Sequence, residues 1–485
     1  MPTIQPMRPR FRLEVLAAEQ VAAIRSATLQ VLETVGVHLP SPRALDIMAQ
    51  HGARVDWQRQ VVRLPPDLVV QAMGKAPRSY VLGGRAEGTA LTLDGTCTYF
   101  ATDGCGTETL DPQTGRPRRS CKEDVARMAR VADALSSVAF YWPVVSAQDY
   151  GPLAPLHELD ASFLNTVKHV QTETVMGAAL ARYAVEMARV IAGDEATLRA
   201  RPPMSLLVCT IAPLAQDRAG IEGAMVMAEA GIPVGFMSMP NIGATAPATV
   251  AGALIVGNAE VVSAMVLIQL LVPGAPVYHS ILASVMDPRS GEYIVSIPEK
   301  YLANAAAVQL AHDWGVPALG GAFGMDDVAP ATWRLGQDSV YTALLVPLAG
   351  AEMVTGGGLL RASTLLVPEQ LLFDDEIYHV HRRLLEGIDT SPESLAQEVI
   401  STVGPRGNFL AQGHTRRHIR HVWLPPLGHP APVPAGQPTP EIRLRAQARL
   451  EQILAEHQPE PLPPAARAEL QSILEAAARE LAPAG

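Results

Sequence analysis

The sequence predicts a (β/α)8 barrel of the TIM type, preceded by a helical and β-hairpin extension and followed by a helical tail. Three observations carry that prediction. Apolar, β-branched runs alternate eight times with helical stretches between residues 96 and 400. Strict alternation of this kind makes a parallel sheet, and eight units close it into a barrel. Hydrophobic residues form 48% of the 485-residue chain and charged residues only 18%, so one large core can be buried. No GxGxxG opens a helix after the first strand, which weakens the alternative of a doubly wound, dinucleotide-binding sheet.

The elements follow in order. Residues 1–95 contain "EVLAAEQVAAIRSATLQVLETVG", a helix ending at Gly36, and "HLPSPRALDIMAQHG", a second helix. A hairpin, a short helix and a β-like, glycine-punctuated stretch complete the extension. The barrel strands are expected at 98–104, 139–149, 168–175, 204–213, 232–241, 275–284, 316–326 and 351–359. Helices such as "KEDVARMARVADALSS", "DRAGIEGAMVMAEAG" and "EKYLANAAAVQLAHDWG" lie between them, and many stop at glycine. Residues 401–485 read as loop, the proline-rich spacer "APVPAGQPTP" and two Ala/Glu/Arg-rich helices.

Charge and composition narrow the function. The formal net charge is −10 and no long basic run occurs, so nucleic acid is not an expected partner. The N-terminus lacks the apolar core of a secretory signal, and a cytoplasmic protein with reduced thiols is expected. The stretch "ATVAGALIVGNAEVVSAMVLIQLLVPG" carries Asn258 and Glu260 at its centre, which argues for a buried barrel or interface helix rather than a membrane span. It also leaves room for a homo-oligomer. Cys97, Cys105, Cys121 and Cys209 match no metal-binding spacing. His414 and His418 stand at i, i+4 without an evident third ligand, so no metal is assigned.

Barrel active sites lie at the C-terminal strand ends. Those ends offer Tyr99, Phe100 and Asp103; Tyr141, Ser146, Gln148 and Asp149; Gln171 and Glu173; Thr210; Met237, Met239 and Asn241; Tyr278, His279, Ser280 and Ser284; Phe323, Asp326 and Asp327; and Thr355 with three glycines. They are rich in acids and hydroxyls and poor in lysine and arginine. A phosphorylated substrate is disfavoured, and an aromatic, acidic pocket suits a cation that donates no hydrogen bonds. Barrel filling is the competing explanation for each aromatic.

Four stretches, "YFATDGCGTETLDPQTGRPR", "IPEKYLANAAAVQLAHDWGVPALGGAFGMDDVAP", "GQDSVYTALLVPLAGAEMVTGGGLL" and "GPRGNFLAQGHTRRHIR", together resemble the trimethylamine methyltransferase superfamily over residues 10–425. The resemblance implies the same barrel, and methyl transfer from a methylated amine to the cobalt of a separate corrinoid protein, with no tightly bound cofactor in this chain. Founding members carry pyrrolysine on the strand-seven loop. Here that loop is "GGAFGMDD", all common residues, which resembles the non-pyrrolysine branch acting on quaternary amines such as glycine betaine. We expect Tyr99, Phe100, Asp103, Glu173, His279, Phe323 and Asp326 to line the substrate pocket, with Asp103 or Asp326 balancing the cation. A betaine carboxylate would need a donor such as His279, His312 or a backbone N–H. Another small-molecule barrel enzyme, or a non-catalytic quaternary-amine-binding protein, are the alternatives.

Overall fold

The computed structural model describes residues 3–111, 114–321, 329–429 and 440–481. Eight parallel strands form one sheet: β1 Tyr99–Thr102, β2 Val138–Tyr141, β3 His169–Thr172, β4 Met204–Cys209, β5 Val234–Ser238, β6 Val277–Ile281, β7 Leu319–Gly321 and β8 Met353–Gly357. The ladder runs β6-β5-β4-β3-β2-β1-β8-β7. Among the described residues, it closes between β7 and β6 through one parallel bridge, His279 to Ala318, in which the His279 N–H donates to the Pro317 carbonyl at 2.9 Å. The surrounding helices are α1 Lys122–Ala134, α2 Ala154–Asn165, α3 Ala178–Ala192, α4 Arg218–Glu229, α5 Val250–Leu271, α6 Pro298–Asp313, α7 Trp333–Ala349 and α8 Gln370–Leu385.

The extension explains the uniformly apolar α5. One side of that helix packs on β5 and β6, and the Ala18–Thr34, Pro42–Gln50 and Pro66–Met73 helices cover the other. Asn258 lies at the junction. Its Nδ2 donates to Thr28 Oγ1 at 3.1 Å, and its Oδ1 accepts from Trp314 Nε1 at 3.1 Å and from His279 Nε2 at 3.0 Å. A polar residue in an apolar helix is tolerated because its hydrogen-bonding groups are used.

The hairpin Tyr80–Leu82/Leu91–Leu93 closes the N-terminal end of the barrel. Leu82, Leu91 and Leu93 share one apolar cluster with the interior residues Leu207, Tyr278 and Met353. Lys168, just before β3, is buried at the same end. Its ammonium donates to the carbonyls of Ala132 and Leu135 at 2.7 Å and of Val138 at 2.6 Å. All three donors are satisfied at the C-terminus of α1, where the helix dipole favours a cation. After the barrel, the Ile442–Glu456 helix packs on α1 and α8, and the Pro464–Leu481 helix packs on α3.

The interior tolerates little added volume. Tyr278 crosses the barrel to donate to Gln171 Oε1 at 2.9 Å. A Cβ on Gly235 would sit 1.9 Å from its ring, and the hydrogen bond keeps the ring from moving aside. Gly235→Ala is expected to destabilise the protein by about 1–3 kcal/mol in urea unfolding. Gly336→Ala on α7, where nothing lies within 4 Å, is expected to be neutral or slightly stabilising.

Candidate active site

A cavity of about 280 Å³ opens at the C-terminal strand ends. Every strand contributes to it: Asp103, Gly104 and Cys105 after β1, Trp142 after β2, Glu173 after β3, Cys209 in β4, Met237 in β5, Ser280 in β6, Gly321 in β7 and Thr355 in β8. Met239, Leu282, Tyr293, Ala362 and Ser363 from the following loops complete the wall. Trp142 reaches its place because residue 104 is glycine: a Cβ there would lie 1.9 Å from the indole nitrogen. That buried Nε1 has no hydrogen-bond partner among the described residues.

Two carboxylates face this cavity. Asp103 Oδ1 accepts from the Gly104 N–H at 3.0 Å, and Oδ2 accepts from Ser363 Oγ. Burial pushes the Asp103 carboxyl up to about 6, against the opposing pull of the Ser363 and Gly104 hydrogen bonds. Burial pushes Glu173 up to about 7. The Cys105 thiol bonded to it works in the opposite direction, and the charges of Asp103 and Glu158 raise it further. Groups so displaced, in a cleft and with named causes, mark a functional site.

The surroundings of both acids are firmly built. Glu158 on α2 accepts from Ser146 Oγ at 2.6 Å, from the Ala147 N–H at 3.2 Å and from Thr174 Oγ1. It thereby ties the exits of β2 and β3 together beside Glu173. Glu260 on α5 does the same for β4 and β5, accepting from Thr210 Oγ1 at 2.6 Å, Ser238 Oγ at 2.7 Å and the Leu214 N–H at 2.7 Å. On the Asp103 side, Arg361, Ala362 and Ser363 are three consecutive non-glycine residues with φ of 53°, 50° and 58°. Left-handed backbone of this kind costs about 1–3 kcal/mol per residue and collects at functional sites.

The expected site residues divide. Asp103 and Glu173 line the cavity. Tyr99, Phe100 and His279 do not, and strand geometry gives the reason. Tyr99 belongs to the barrel interior but at the N-terminal end, where its hydroxyl accepts from the Thr92 N–H of the closing hairpin. Phe100 is one residue out of phase and stacks on Tyr378 of α8 at 5.4 Å. His279 alternates with the cavity residue Ser280 and so faces α5. Burial first, and then the nearby His312, push it down to about 3, so it is neutral. His312 itself bonds Glu352 at 3.2 Å, beside β7 and β8 at their starts. Phe323 and Asp326 lie outside the described residues.

Sequence reasoning missed Trp142, Ser363 and Glu158, and treated Cys105 and Cys209 as ordinary thiols. Gly104 two residues beyond β1, with an indole directly after β2, was the available signal for Trp142. His414 and His418 stack on each other at 4.1 Å, and among the described residues no group of three His, Cys, Asp or Glu side chains is arranged to hold a metal.

Comparison with known proteins agrees with the geometry. A family model described as trimethylamine methyltransferase (MTTB) matches residues 2–482. The trimethylamine methyltransferase MttB of Desulfitobacterium hafniense (strain DSM 10664 / DCB-2) is 34% identical over 96% of this chain and 94% of its own length. The glycine betaine methyltransferase of Desulfitobacterium hafniense (strain Y51) is 28% identical over 97% of this chain and 98% of its own. Among solved structures, the monomethylamine methyltransferase (MtmB) of Methanosarcina barkeri aligns with a TM-score of 0.48 and 12% identity, over 95% of this chain and 92% of that one. An acid-lined cavity at the C-terminal end of an eight-stranded barrel and a family match along nearly the whole sequence lead to one conclusion: this chain belongs to the trimethylamine methyltransferase (MTTB) family and is a methyltransferase.

Proposed function

We propose that the chain moves a methyl group from a quaternary amine to the Co(I) of a separate corrinoid protein in the cytoplasm. The observation that carries this reading is the pairing of Asp103 and Glu173 in one cavity walled by Trp142, Tyr293, Met237 and Met239. A tetraalkylammonium ion has no N–H to donate. It is held by aromatic faces and polarisable sulfur around its methyl groups, with opposite charge nearby. The relative named for glycine betaine, itself a quaternary amine, supports the same class of substrate.

The chemistry asks little of the protein beyond placement. The N–CH3 bond breaks with its electron pair going to nitrogen, which leaves as a neutral tertiary amine. The new C–Co bond takes both electrons from Co(I), which becomes Co(III). No proton moves, so no general acid is needed. The chain's share is to hold one N–CH3 bond in line with the incoming metal and to keep water away. Asp103, fixed by Ser363 and Gly104, and Glu173, held beside Cys105, anchor the cation while the positive charge on nitrogen is lost.

Two outcomes are expected. Mixing the protein with tetramethylammonium and reduced free cobalamin should bleach the Co(I) absorption band, and Asp103→Asn with Glu173→Gln should slow the bleaching by about 100-fold or more. If no quaternary amine bleaches the band, the proposal fails. Binding should also depend on pH. The cation needs the ionised carboxylates, which are lost as pH falls through about 7 for Glu173 and about 6 for Asp103. Tetramethylammonium affinity, read by calorimetry, should therefore be high at pH 8 and fall by about tenfold or more by pH 5. The double variant should show a flat profile.

A further inference from the structure

We infer that the site is built for a quaternary ammonium compound without a carboxylate, a choline-like or tetraalkylammonium cation, and not for a betaine zwitterion. The inference rests on the methyl-transfer reading above and narrows its substrate. A betaine presents two charges, and its carboxylate, once stripped of water, needs a cation or several donors. Among the described residues, the cavity wall contains two carboxylates and no lysine, arginine or histidine.

Basic side chains outside the wall carry bonds to other groups. Lys300 acts on Asp103 through space, but its buried ammonium bonds Asp338 at 2.9 Å and Thr342 at 3.4 Å. Arg361, beside the wall residue Ala362, is bonded to Glu108. His279 is directed to Asn258 and His312 to Glu352.

The remaining polar groups on the wall suit a neutral oxygen. The Trp142 Nε1–H is buried and without a partner among the described residues, and the Ser280 hydroxyl lines the same space. A hydroxyl group on the substrate can accept from either and donate to Asp103 or Glu173. A carboxylate can only accept, and it would add a third negative charge to a cavity already holding two. A monocation lowers the charge of the ionised pair from two to one, whereas a zwitterion leaves it unchanged.

Calorimetric titration of the full chain with choline, tetramethylammonium and glycine betaine tests this. Choline and tetramethylammonium are expected to bind about tenfold tighter than glycine betaine, or better. The gap should narrow in Glu173→Gln, because the lost charge attracts a cation more than a zwitterion. The wild-type protein gives a second measure that needs no variant: lowering the pH from 8 to 5 should narrow the same gap. Glycine betaine binding as tightly as choline at pH 8 would overturn the inference and leave the quaternary-amine reading standing. Failure of all three compounds to bind would remove both.

Discussion

The C-terminal rim of the barrel depends on buried carboxylates supplied by the helices outside it. Glu158 on α2 joins the exits of β2 and β3, and Glu260 on α5 joins those of β4 and β5. Asp374 on α8 accepts from the Gly358 N–H after β8 at 2.8 Å and from Gln370 at 2.8 Å. Each strand that ends inside a protein leaves hydroxyls and N–H groups that need acceptors. One carboxylate offers up to four acceptor positions and serves several at once. Its desolvation is unfavourable, and burial accordingly raises Glu158, Glu260 and Asp374 above the ordinary carboxylate range. Removing such an acid would strand two or three buried donors, a larger loss than its own desolvation.

The same device sets the electrostatics of the cavity. With the rim's donors bonded to helix-borne acids, Asp103 and Glu173 face the open space with few donors of their own. Asp103 keeps Gly104 and Ser363, and Glu173 keeps the Cys105 thiol. Among the described residues, neither is matched to a basic side chain on the wall. Burial is the main cause of their raised pKa values, and the charge of Lys300 only partly offsets it at Asp103. A bound cation would favour the ionised form of both acids.

Legibility in the sequence followed the physics of parallel strands. Alternation of apolar runs and helices is a long-range, redundant signal, and it was readable for all eight units. The position of Asp103 and Glu173 at the C-terminal strand ends, where both line the cavity, was readable because each stands just beyond an apolar run. Side-chain direction was not readable. Strands covered on both faces lack the polar/apolar alternation that reveals which residues point inward. That is why Phe100 and His279, each one residue out of phase with the cavity, looked equivalent to Ala101 and Ser280. Tyr99 lies away from the cavity for a different reason, depth: it belongs to the interior at the N-terminal end of the barrel. The long apolar helix at 250–271 was ambiguous until the extension at 1–95 was seen to cover its outer side.

Ser363 was invisible for a third reason. It lies well beyond β8, in a turn whose three left-handed residues follow no glycine or asparagine pattern. The surrounding bonds account for the turn. Arg361 is held by Glu108 at one end, and Ser363 is held by Asp103 at the other. Strain of this order persists only where the neighbours over-determine it. Here the strained turn delivers one hydroxyl to one oxygen of Asp103, while the Gly104 N–H holds the other. Both carboxylate oxygens are thus fixed in direction, and the acid cannot swing across the cavity to approach Glu173. One backbone N–H and one side-chain hydroxyl thus hold the acid at the cavity wall.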